Sequence, residues 1–118
     1  MTSLSRRTIE PAEVVAVFER TGMKPIQNKF FDDFGKAACI IAALWLDANP
    51  PRPSNCTTFH ITEWATAVYG TFYLHGLIRG WNGQQPNTKT ETVCDTDRRE
   101  YEAGYAAGKA AWEAVNGA

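Results

Sequence analysis

Apolar residues return every three or four positions along four stretches of the chain, and polar or proline-bearing segments separate them. In the first stretch Val14, Val17 and Phe18 share one side of a helix, with Ile9 or Ala12 above them. Thr8 is placed to cap this helix, and Pro11 falls in its first turn, where a missing N–H does no harm. Gly22 ends it, with Arg20 near the negative end of the helix dipole.

The second stretch is "FGKAACIIAALWLD", in which Lys36 is the only charge before Asp47. A segment apolar on nearly every side is buried on most sides. Its length and alanines favour a central helix, with a buried strand around Cys39, Ile40 and Ile41 as the alternative. Between these two, residues 23–33 carry Pro25, and their apolar Ile26, Phe30 and Phe31 do not alternate cleanly. That pattern predicts a short extended segment or a loop.

The third stretch, residues 61–81, places Ile61, Trp64, Ala65, Val68, Phe72 and Gly76 at helical spacing. Gly70 lies inside it and weakens a helix by about 1 kcal/mol relative to Ala. The fourth stretch, residues 97–116, opens with Asp97 and Glu100 at capping-box spacing. Tyr101, Gly104, Tyr105, Gly108, Trp112 and Val115 then form one face. Residues 48–58, with three prolines, and the polar residues 84–94 are connectors. The prediction is a mainly α fold, a compact bundle of about four helices in one domain over residues 1–118. It leaves room for one short extended or hairpin segment near residues 24–31.

The third and fourth helices share a pattern. "YLHGLIRG" and "YEAGYAAG" both read Tyr-x-x-Gly-x-x-x-Gly, so that Tyr73, Gly76 and Gly80 match Tyr101, Gly104 and Gly108. Glycine inside a helix is destabilising, so its repetition at one spacing points to a compensating contact. Residues four apart lie on one face, and two glycines there make a flat groove that another backbone can approach. The two helices are therefore expected to cross groove to groove, with the rings of Tyr73 and Tyr101 flanking the crossing and their hydroxyls at its rim. Either the crossing is made within one chain, or one groove faces a second copy and the protein is a homodimer.

Bulk composition narrows the functional classes. The chain has 118 residues, 44% hydrophobic and 21% charged, with a net charge of -1. This balance gives no strong case for nucleic-acid binding and none for a membrane surface. The apolar run at residues 37–46 is too short to span a bilayer, which needs about 20 residues. No apolar segment of the secretory kind follows Arg6 and Arg7. Three widely spaced cysteines, Cys39, Cys56 and Cys94, are not a disulfide framework. A reducing, cytoplasmic setting follows.

Candidate chemistry is sparse. Cys56, His60 and Glu63 offer a metal site or a Cys–His nucleophile, but their spacing matches no established ligand set, and nothing in sequence supplies an orienting third group. Phosphate-binding glycine loops are absent. Asp32 and Asp33 fit turn formation better than acid–base work. The sequence thus points away from an enzyme and calls for no cofactor and no metal. Arg98 and Arg99 open a helix, a poor place for cations unless local carboxylates or a partner's anion offset them. Trp81, at a helix end beside Arg79, is expected to be partly exposed as a contact point, or else to staple the following loop.

The first functional expectation is a small non-catalytic interaction protein that associates with itself and binds a larger protein, in the manner of a bacterial or phage accessory factor or inhibitor. The second is a small-molecule binding or sequestering protein. Its pocket would lie between the two glycine-bearing helices, with Tyr73, His75, Arg79, Trp81 and Tyr105 near the ligand.

Overall fold

A computed structural model of the chain describes residues 8–32, 35–50, 58–86 and 95–117. The order of elements is α1 (Pro11–Thr21), β1 (Lys24–Pro25), β2 (Ala37–Ala38), α2 (Ile40–Ala48), α3 (Thr58–Tyr69), α4 (Thr71–Trp81) and α5 (Asp95–Gly117). The fold is mainly α, with five helices and one small sheet among the described residues.

Helix α1 starts at Pro11 and not near Thr8, because the residue before a proline is pushed out of helical geometry. Glu10 is accordingly extended, at φ -102° and ψ 143°. Gly22 closes the helix at φ 71°, where its N–H donates to the Phe18 carbonyl. Val14, Val17 and Phe18 are the buried face.

The apolar stretch expected as a helix from residue 34 begins differently. Ala37 and Ala38 pair in parallel with Lys24 and Pro25, and helix α2 starts only at Ile40. Asp32 decides this. Its carboxylate accepts the N–H groups of Lys36 at 2.7 Å and Ala37 at 3.1 Å, turning the chain back on itself. Small, fully buried Ala38 then lets the chain pair on both sides, with β1 and through an antiparallel bridge to Phe31. The extended segment near residues 24–31 therefore exists as β1 and its continuation, paired to residues 37–38 and not into a hairpin of its own.

The stretch expected as a single helix over 61–81 is two helices. Gly70 stands between α3 and α4 at φ 89° and ψ 152°, a backbone region open essentially only to glycine. Its N–H still donates to Thr66 O, and its carbonyl accepts from Leu74, so both backbone groups of Gly70 are paired at the break. Helix α5 begins at Asp95, which puts Asp95 and Asp97 together in its first turn, on the positive end of the dipole.

The core joins all five helices. Ile40 to Trp45 of α2 are buried without a break, against Val14, Val17 and Phe18 of α1, Ile61, Ala65 and Tyr69 of α3, Leu74, Leu77 and Trp81 of α4, and Ala111 of α5. An exposed clip ties α1 to α2: Arg20 Nε donates to Asp47 Oδ1 at 2.9 Å and Arg20 Nη2 to Asp47 Oδ2 at 2.8 Å.

Candidate functional site

Helices α4 and α5 run parallel, and the repeated glycines face each other across them within the one chain. A Cβ built on Gly76 would stand 2.1 Å from the Tyr101 carbonyl oxygen, and one on Gly80 2.2 Å from that of Tyr105. The reverse holds equally: Gly104 faces Tyr73 O at 2.0 Å and Gly108 faces Leu77 O at 2.2 Å. Each glycine therefore points a Cα–H at a carbonyl of the other helix, a contact worth roughly 0.5–1 kcal/mol. The two copies of the motif are related by a local pseudo-twofold axis. Each groove is filled by the other helix. At the four glycines themselves the seam is occupied by backbone of the same chain.

The flanking tyrosines lie deeper than the sequence suggests. Tyr73 is 5% exposed and Tyr101 1%. The Tyr73 hydroxyl sits inside the structure, not at a rim, where it accepts the N–H of Ile9 at 2.9 Å. Burial pushes the Tyr73 phenol up from its ordinary value, and Glu10 and Glu13 push the same way against the Ile9 bond.

The remaining predicted residues divide. Trp81 is only 1% exposed and is no surface contact. Its ring stacks on Phe18 at 5.5 Å and takes an edge contact from Trp112 at 5.0 Å. Its Nε1–H donates to Ile26 O at 2.7 Å. It is a staple, but for the segment before β2 and not for the one after α4. The latter is held by Arg79, which donates to Gln84 Oε1 and Gln85 O, and by Tyr105, whose hydroxyl donates to Gln84 O at 2.7 Å. His75 is exposed, lies edge-on to Phe72, and shares a shallow depression with Ile78, Arg79 and Gln84. Arg98 pairs with Asp95 one turn away, and Arg99 is exposed. Cys56 and Cys94 lie outside the described residues, so their convergence with His60 and Glu63 does too. Among the described residues no three His, Cys, Asp or Glu side chains stand together as metal ligands. Nor is any helix there long and apolar enough to cross a membrane.

The concave site that sequence reading missed is on the other side of Trp81. A pocket of about 340 Å³ is lined by Asn28, Lys29, Phe30, Cys39, Ile40, Ile41, Ile78, Trp81 and Asn82. Three short chain segments make its frame. Residues 26–28 are strapped to the end of α4 by the Trp81–Ile26 bond, by Gln27 Nε2 donating to Trp81 O at 2.8 Å, and by Asn28 N donating to Asn82 Oδ1 at 2.8 Å. Asn28 adopts φ 71° to turn the chain here, a conformation Asn tolerates better than most residues. Phe30 O accepts the N–H of Cys39 at 3.0 Å, which fixes the far side to the start of α2.

The walls are almost wholly apolar, and the polar groups gather at Asn28, Lys29 and Asn82. Cys39 is 7% exposed, and its burial pushes the thiol up from the ordinary value, against the pull of the Ala42 and Ile41 amides. The thiol is therefore a protonated, apolar part of the wall. These lining residues come from three separate stretches of chain, so no local spacing announces them. The one legible hint was the row of ill-alternating apolar residues at 26–31 in a polar segment.

Comparison of the chain with protein-family models, with curated proteins and with solved structures gives no match.

Proposed function

We propose that this chain is a non-catalytic binding protein whose recognition site is the apolar pocket beside Trp81. The observation that carries the reading is the pocket itself: about 340 Å³, apolar walls, and a few polar groups on one side. Binding sites for small ligands have this make-up, at volumes of roughly 300–1,000 Å³. The proposal keeps the small-molecule reading and moves it from the glycine seam to the opposite flank of α4. A reducing cytoplasmic setting belongs to the same reading, in keeping with the free thiol of Cys39.

The test is a methyl NMR titration with neutral aromatic and aliphatic fragments. The Ile41 and Ile78 methyl resonances are expected to shift saturably, and Ile78→Phe, which grows a ring into the space, is expected to abolish the shifts. Fragments that never move those methyls, or that move them equally in Ile78→Phe, would remove the pocket from the account.

A second reading, binding of a larger protein or of a second copy, draws on a different surface. Trp64 and Val68 are four residues apart on α3, hence on one face, and both remain half-buried. Light scattering over a dilution series addresses it. A dimer that Trp64→Ser splits would support this reading, and a monomer at all concentrations would leave self-association without support.

A further inference from the structure

Resting on the reading of the Trp81 pocket as the binding site, we infer that its ligand is a small neutral carbonyl compound: an apolar body bearing one hydrogen-bond acceptor, as in a ketone, ester or amide. The inference comes from which polar groups of the pocket's frame the protein uses itself. Ile26 O accepts the Trp81 indole N–H, Trp81 O accepts from Gln27 Nε2, and Phe30 O accepts the Cys39 N–H. The Asn28 N–H goes to the Asn82 carboxamide oxygen, at 2.8 Å. That bond fixes the orientation of the Asn82 amide and leaves its NH₂ as the end able to meet a ligand.

The backbone carbonyls around the frame are thus engaged in holding it together, while a carboxamide donor stays available on the lining. A donor on the protein selects an acceptor on the ligand. The charge of Lys29 is no part of this recognition, because Lys29 already has an interaction partner of its own. An ionic head group would have to shed its water against walls that are almost wholly apolar, a cost that a neutral carbonyl largely avoids. Ile41, Ile78 and Trp81 supply apolar surface beside the amide, which suits an alkyl or aryl body. A pocket of about 340 Å³ holds a small molecule and not a protein surface.

The experiment titrates the protein with acetophenone and α-methylstyrene, two probes of nearly one shape that differ in C=O against C=CH₂. Benzoate and benzylammonium serve as the charged controls. Binding is read from the Ile41 and Ile78 methyl resonances, in the natural protein and in Asn82→Asp. That substitution keeps an oxygen for the Asn28 N–H and puts an acceptor where the NH₂ stood. It is expected to weaken acetophenone by at least about fivefold, the size of effect one hydrogen bond gives, and to leave α-methylstyrene within about twofold. Acetophenone binding that is unaltered in Asn82→Asp, or weakened no more than that of α-methylstyrene, would overturn the carbonyl assignment and leave the pocket reading standing. Failure of acetophenone to bind where α-methylstyrene does would have the same meaning. Benzoate or benzylammonium binding more tightly than acetophenone would overturn the neutrality of the ligand. If no probe, neutral or charged, moves those methyls, the pocket reading falls and the assignment falls with it.

Discussion

Helix α4 meets its neighbours in two opposite ways. On the α5 side, glycine removes the side chains and main chain touches main chain, with Leu77 0% exposed between Gly76 and Gly80. On the other side, the very next residue, Ile78, is half-buried, and together with Trp81 it borders about 340 Å³ of space. Where side chains are absent, two helices close without a gap. Where bulky, differently shaped groups such as Trp81, Phe30 and Ile41 meet around a turn, they leave one. One helix therefore serves as a rigid keel and as the wall of a pocket, and the rigidity of the first fixes the shape of the second.

The largest effect should come from breaking the sealed side. In Gly104→Leu the new side chain would meet the Tyr73 carbonyl, which is main chain and cannot swing away. The loss is expected to reach or exceed the roughly 1–3 kcal/mol usual for overpacking. Urea denaturation checks it, and the same loss should appear at every protein concentration, because the seam lies within one chain.

A smaller contrast sharpens the comparison between adjacent residues. Leu77→Ala is expected to destabilise by about 2–5 kcal/mol, as a fully packed leucine does. Ile78→Ala should lose less than half as much, because one side of Ile78 already faces open space. Similar losses from both would mean that α4 is packed alike on its two sides.

The smallest effect is one of pH, and it should touch only the open side. The Asp32 carboxyl is held below the usual carboxylate range by the backbone N–H of Ala37 first, then by those of Lys36 and Gly35, with burial opposing. A carboxyl depressed on folding contributes its stability in full above its unfolded value of about 3.9, and loses it as pH falls through the lower folded value. Acidification below about pH 4 should therefore loosen the turn that carries the chain into β2. Amide exchange at Lys36 and Ala37 is expected to quicken there, while exchange along residues 101–109 of the seam stays constant.

The sequence made the sealed side legible and left the open side hidden, for a physical reason. The glycine repeat is local: four residues apart on one helix face, written twice, it declares a close approach whatever the rest of the fold. What it did not reveal was the partner, and the grooves turned out to fill each other. Helix α1 was readable for the same reason, from Val14, Val17, Phe18 and Gly22. Gly70 was ambiguous, since a glycine tolerated in a helix and a glycine breaking one look alike until φ is known. Ala37 and Ala38 were misread because an all-apolar run carries no period, and their pairing depends on Asp32 and Lys24, which lie at a distance in sequence. The pocket assembles from three separate stretches, so it exists only in the folded chain. Trp81 illustrates the limit: its neighbours in sequence, Arg79 and Asn82, suggested a surface, while its neighbours in space, Phe18 and Trp112, make it core.

The division of α4 into a sealed and an open face can be tested in one measurement, methyl NMR under xenon pressure, since xenon enters apolar cavities and reports them locally. The account predicts progressive shifts for Ile78 and Ile41 and none for Leu77. Shifts at Leu77 equal to those at Ile78, or no response at Ile78 at all, would contradict it.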